Sequence, residues 1–249
     1  MKTKTGISSG NSKSSPDFEG NEQVYKMLIE ELEANTNEAN IAGMARFGIS
    51  CSKAYGISIP DLRAMAKPFR KNHGLAKLLI HSGSHEGRIL AGFIGDSSKV
   101  TPEEMDEWVL LLENWADCDG LCGDIWTGSG NAVQKANEWS LRPEEVVKRA
   151  AFSLMARLAV HDKSAPDPVF LDFLPIIARE AHDERNLVKK AVNWALRQIG
   201  KRNETLLHAA IECGEEIQKQ GSKAARWIAS DALRELRGKE VKLTLKGKK

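Results

Sequence analysis

The chain has 249 residues, 41% of them hydrophobic, which suits one large domain or two small ones built around a real core. Its formal net charge is only +2, yet residues 185–249 carry 16 Lys or Arg against 7 Asp or Glu, and residues 1–184 carry 20 against 27. No run of about 18 apolar residues occurs, which excludes a membrane-spanning helix, and the polar start MKTKTGISSGNSKSSPDFEG lacks the apolar middle of a secretory leader.

Residues 1–19 hold too little apolar surface to offset the entropy of ordering and read as a disordered tail. From Val24 onward apolar residues recur at helical spacing. Val24, Leu28 and Leu32 make a first stripe, and Ile41, Met44 and Ala45 a second. Leu62, Met65 and Phe69 follow Ser58-Ile59-Pro60-Asp61, where a proline in the first turn and an acidic neighbour suit a helix start. Leu75, Leu78 and Leu79 come next, then Ile89, Leu90 and Phe93. Thr101, Pro102 and Glu104 spell a capping box before WVLLLENW. Val146, Ala150, Leu154 and Leu158 form another stripe, followed by Phe170, Phe173, Leu174 and Ile177. Leu187, Ala191, Trp194, Ala195 and Gln198 line one more, and stripes from Leu206 and from Ala224 close the helical part. Only VKLTL (241–245) could form a short strand, and it lies in a basic tail, residues 239–249. The chain therefore reads as all-α, one domain over residues 20–238, with roughly a dozen helices joined by short turns. Helix pairs of this size, without a crisp consensus, predict an α-α superhelix: a curved solenoid of degenerate HEAT-like repeats.

The densest chemistry lies in NWADCDGLCGDIW (114–126). Cys118 and Cys122 lack the second ligand pair that structural zinc needs, and three intervening residues do not suit a thioredoxin-like redox pair. They read as small apolar fillers one helical turn apart, reduced thiols in a cytoplasmic protein. Neither GxGxxG nor a phosphate-binding P-loop occurs, so no nucleotide cofactor and no metal is expected. Trp115 and Asp119 share a helix face at i and i+4. They read either as an indole and a carboxylate that grip something together, or as a core tryptophan and a capping aspartate. In KKAVNWALRQIGKRN, Trp194 and Arg197 share a face among Lys189, Lys190, Lys201 and Arg202, which suits a nucleic-acid backbone. The alternative is a core indole with a solvated basic face. Arg149, early in another helix, offers a further phosphate contact.

Four segments, MARFGISCSKAYGISIPDLR (44–63), NWADCDGLCG (114–123), VVKRAAFSL (146–154) and KKAVNWALRQIGKRN (189–203), together resemble the AlkD-like DNA alkylation repair family in order and rough spacing, over about residues 20–240. The resemblance implies HEAT-like repeats with a basic concave face that holds duplex DNA. It implies a monomeric glycosylase that excises N3- and N7-alkylated purines without metal or cofactor, in the cytoplasm and on the nucleoid if the source is prokaryotic. By the same resemblance Trp115, Asp119 and Trp194 line the deoxyribose, Asp119 is the catalytic carboxylate, and Arg149 and Arg197 hold the adjacent phosphates. Lys190, Lys201 and Arg202 would extend that basic surface. Phe47 stands where glycosylases of the family can have a Tyr, and Ala116 where the family often has an Asp.

The implied chemistry is sound. A cationic alkylpurine is already a good leaving group, so one carboxylate beside an oxocarbenium-like sugar suffices, and indole faces add a cation–π contribution. The family also holds members that bind unusual DNA structures without excising bases. The expectations are thus a glycosylase acting on duplex DNA with alkylated purines, a non-catalytic binder of damaged or branched DNA, or a HEAT scaffold for another protein.

Overall fold

The computed structural model describes residues 16–239 and Val241. The rest of the polar tail and of the basic tail, with the VKLTL stretch beyond Val241, lies outside the described residues. Thirteen α-helices and no strand are found among the described residues: α1 (Pro16–Ala34), α2 (Glu38–Arg46), α3 (Ile59–Ala66), α4 (His73–Ile80), α5 (His85–Ile94), α6 (Pro102–Val109), α7 (Trp115–Asp124), α8 (Ala132–Ser140), α9 (Glu145–His161), α10 (Asp167–Glu180), α11 (Asn186–Gly200), α12 (Glu204–Gln218) and α13 (Lys223–Leu236). The first helix thus starts at Pro16, inside the stretch read as tail.

Side-chain caps set most helix starts. Asn37, Ser58, Asn72, Ser84, Asn114, Asn203 and Ser222 each accept from a main-chain N–H of the turn they open. Thr101 and Glu104 form the reciprocal capping box expected from the sequence. Each such cap contributes about 1 kcal/mol to its helix.

The helices stack in two layers. α5, α7, α9, α11 and α13 pack one against the next. Behind them α4 backs α5, α8 backs α9 and α12 backs α13, while α8, α10 and α12 follow one another in the outer layer. This is the α-α superhelix of paired helices that the stripes predict. Leu90, Cys118, Leu121, Ala150, Leu154, Ala191, Leu196, Ile228 and Ala232 fill the inner layer's seams. Trp108, Trp126 and Trp139 are wholly buried, and the last two meet edge to face at 5.2 Å.

The second stripe is the exception: α2 buries none of its residues. It is held at its ends instead. Asn37 N donates to Tyr55 O at 2.7 Å and Asn40 Nδ2 to Gly56 O at 2.8 Å. The loop it leans on is fixed by the buried carboxylate of Glu86, which accepts from the main-chain N–H of Tyr55, Gly56 and Ile57. Gly56 has φ +73, and a Cβ there would stand 2.4 Å from Asn37 O, so the tight approach requires glycine. Ile41 and Met44 are consequently only half-buried and Ala45 is exposed.

Candidate nucleic-acid pocket

Asn114 opens α7, its Oδ1 accepting from Ala116 N at 2.9 Å and Asp117 N at 3.0 Å. The capping role is therefore taken, and Asp119 sits mid-helix, one turn beyond Trp115. Trp115 is half-buried, and its Nε1 donates to Phe47 O at 3.0 Å. That bond ties the end of α2 to the start of α7 and leaves the Phe47 ring, 75% exposed, at the rim.

The middle helix of the layer supplies the grip on Asp119. Arg149 Nη2 donates to Asp119 Oδ2 at 2.7 Å and Nε to Oδ1 at 3.1 Å, a two-point clamp. Ser153, one turn on, donates its hydroxyl to Oδ1 at 2.7 Å, and Arg149 Nη1 is held by Leu187 O at 2.8 Å. Burial works against the charge of Arg149, but Asp119 beside it more than offsets that and raises its pKa. From α11, Lys190 and Trp194 turn to the same place. The result is a cavity of about 660 Å³ walled by Phe47, Trp115, Asp119, Arg149, Leu187 and Trp194, with Arg46 and Lys190 at its edge. Four segments from distant parts of the chain meet there: the end of α2, α7, α9 and α11.

Of the residues expected at the site, Trp115, Asp119, Trp194, Arg149, Phe47 and Lys190 converge. Three others do not line the cavity. Arg197 turns across to α13, where it pairs with Glu235 and lies 3.8 Å from Asp231. Lys201 joins Glu235 at 2.7 Å. Arg202 donates to the carbonyls of Ala159, Asp162 and Ala165 and lies over the Phe170 ring at 3.9 Å, bracing the turn after α9. Arg149, expected at a phosphate, lines the cavity and clamps Asp119. The physical reason is the same in each case: the cation already has a carboxylate or carbonyls of its own fold as partners.

Ser153 and Arg157 were not singled out from the sequence. Arg157 Nη2 donates to Asp119 O at 3.1 Å, and its guanidinium lies 5.4 Å from the Trp194 ring centroid. A Cβ at Gly123 would stand 2.8 Å from Arg157 Cζ, so that glycine makes the room. The legible signal is Arg149, Ser153 and Arg157 at i, i+4 and i+8, a polar line along an otherwise apolar helix. Cys118 and Cys122 face the other way, their sulfurs against Val146 O and Ala150 O, and burial raises the Cys122 pKa. They pack the α7–α9 seam, as their spacing implied.

Comparison with known proteins agrees with this architecture. The family model for DNA alkylation repair enzymes matches residues 28–236. No curated protein matches the chain. A solved structure, reported as "a new family of proteins related to the HEAT-like repeat DNA glycosylases with affinity for branched DNA structures", superposes with a TM-score of 0.68 at 20% identity, covering 84% of this chain and 94% of that one. Among the described residues, no helix is long and apolar enough to cross a membrane.

Proposed function

The chain belongs to the DNA alkylation repair enzyme family, and from that premise we propose that the central cavity receives one deoxyribose of duplex DNA carrying a cationic N3- or N7-alkylated purine. Asp119 stabilises the positive charge that builds on the sugar as the base leaves. Trp115 and Trp194 flank that sugar and add their electron-rich faces. Lys190 and Arg46 meet the adjoining phosphates. The observation that carries this reading is the clamp of Arg149 and Ser153 on Asp119, which holds its carboxylate in one orientation at the wall of an open cavity that two indoles also line. A carboxylate held before the reaction costs no reorganisation during it.

The test is release of free 7-methylguanine or 3-methyladenine from methylated duplex by wild type and by Asp119→Asn. Release by wild type and its loss in the variant support the reading. Equal release by both would sink it.

A second reading, a binder of damaged or branched DNA without excision, has its own support. Arg149 neutralises Asp119, and both lone-pair directions of Oδ1 are already taken, by Arg149 Nε and Ser153 Oγ. Phe47 offers no hydroxyl at the rim. This reading predicts salt-sensitive DNA binding with no base released by wild type.

A further inference from the structure

Three of the six tryptophans are core, and two wall the cavity. The sixth, Trp227 on α13, is 41% exposed and belongs to neither group. Lys189 Nζ lies 5.3 Å from its ring centroid. Lys223 and Arg226, on the same first turns of α13, are exposed, and Arg226 donates to Gly221 O. Among the described residues, no carboxylate forms an ion pair with Lys189, Lys190, Lys223 or Arg226. Two acids that touch α13 have other partners: Glu184 accepts from Ala224 N at 3.1 Å, and Asp231 accepts from Asn193 and Arg234. The contrast with Arg149, Arg185, Arg197 and Lys201, all paired with carboxylates, is sharp.

We infer that Trp227, with Lys189, Lys223 and Arg226, forms a second DNA contact, engaged by the backbone flanking the nucleotide in the cavity. The inference rests on the DNA-binding reading above and adds to it a surface that the cavity does not include. Continuity supports it. Lys190 lines the cavity while Lys189, the preceding residue on α11 and about 100° round the helix, lies over Trp227, so the two surfaces are adjoining faces of one helix. Phosphates of one strand recur about every 3.4 Å of helix axis, so a strand leaving the cavity passes this cluster within a few nucleotides. Chemistry supports it too. Uncompensated cations attract a polyanion by releasing its counterions, and an exposed indole beside them offers a flat apolar face to a sugar or an unpaired base. A protein partner would leave those like charges uncompensated unless it were itself acidic.

The test is fluorescence anisotropy with a labelled duplex across a salt series, on the full chain. The variant K189Q/K223Q/R226Q is expected to lower the slope of log affinity against log salt by about 2–3, at about 0.9 per lost phosphate contact. Trp227→Ala is expected to weaken binding about tenfold and Trp227→Phe to recover most of it. Lys223 and Arg226 are exposed and Lys189 is half-buried, so the triple variant should unfold near the wild-type temperature, while Trp227, 41% exposed, has packing to lose, so its variants are assayed well below their own Tm. Wild-type slope and affinity in both the triple variant and Trp227→Ala would overturn the platform and leave the cavity reading intact. Absence of any salt-sensitive binding by wild type would instead overturn the cavity reading, and the platform with it.

Discussion

Two aspartates stand two residues apart on α7, each gripped by an arginine, and they do different things. Asp117 points into the protein. His85 Nδ1 lies 2.5 Å from its Oδ1, Arg88 Nε donates to Oδ2 at 2.7 Å, and Asn114 Nδ2 adds a bond at 3.1 Å. Arg88 continues to Glu113, which in turn accepts from Ser52. Every member of that chain is satisfied, and the Asp117 side chain is 0% exposed. Asp119, about 200° further round the helix, has an equally good clamp but is 16% exposed and looks into a cavity between two indoles. A buried ion pair therefore does not mark a site by itself. What sets the second apart is open space, aromatic walls and, at the edge, Arg46 and Lys190, which form no ion pair with a carboxylate among the described residues.

The largest effect should separate the two carboxylates by stability. Asp117→Ala removes the carboxylate that Arg88 Nε and His85 share in the interior and leaves Arg88 with Glu113 alone, at a cost of about 3–5 kcal/mol. For a chain of this size that lowers Tm by roughly 10 °C or more. Asp119→Ala should cost less, because the Asp119 side chain is 16% exposed against 0% for Asp117, and Arg149 borders the open cavity. Thermal unfolding of both variants decides; equal losses would mean that Asp119 is as structural as Asp117.

Next comes activity. Removing one preorganised electrostatic group from a reacting centre costs about 10²–10³-fold in rate. Asp119→Asn should therefore lose at least a hundredfold in base release while its DNA affinity stays within a few-fold. A mild variant at Asp117, such as Asp117→Asn assayed well below its Tm, should keep base release per folded molecule. Equal loss of release in both would show that Asp119 acts no differently from Asp117.

Helices were legible because period and caps are local: Thr101 with Glu104, or Ser58 with Asp61, act within one turn. Trp115 with Asp119, and Trp194, were legible as faces of single helices and as family segments. What the guanidinium groups do was not legible. Arg149 finds Asp119 thirty positions away, and Arg197 finds Glu235 across α11 and α13. Those pairings depend on how helices stack, and nothing in the local pattern of KRAAF or WALRQ encodes them. The same holds for α2, whose stripe is apolar but whose neighbours leave it uncovered.

A smaller effect distinguishes paired from unpaired cations. Lys190 is exposed, lines the cavity and has no carboxylate partner among the described residues. Lys190→Gln should lower the salt slope of DNA binding by about 0.9. Arg197→Gln should leave the slope nearly unchanged and act on Tm, since its partners are Glu235 and Asp231. A salt titration of both reads the difference. A larger slope change from Arg197→Gln would show that DNA takes it from its carboxylates and would reverse this ranking.

The smallest effect is a pH dependence at the Arg197 pairing itself. Burial pushes the Glu235 carboxyl up, but Lys201 and Arg197 together more than reverse this and hold it below the ordinary glutamate range. Between its folded value and the ordinary one, the unfolded chain binds more protons than the folded chain. Stability from this group therefore rises with pH through that window and is complete above the ordinary range. It is lost as acid protonates Glu235 in the folded state. Glu235→Gln removes that share, so the variant should be slightly less stable than wild type at neutral pH, and the gap should close in acid. The same change takes one negative charge from beside Arg197 and Lys201, so DNA should bind a few-fold more tightly at neutral pH. Tm measured from neutral to acid on both proteins reads the first effect, and anisotropy reads the second. A gap that stays constant with pH would show that Glu235 contributes by packing, and that the Arg197 pairing is not what keeps this arginine from DNA.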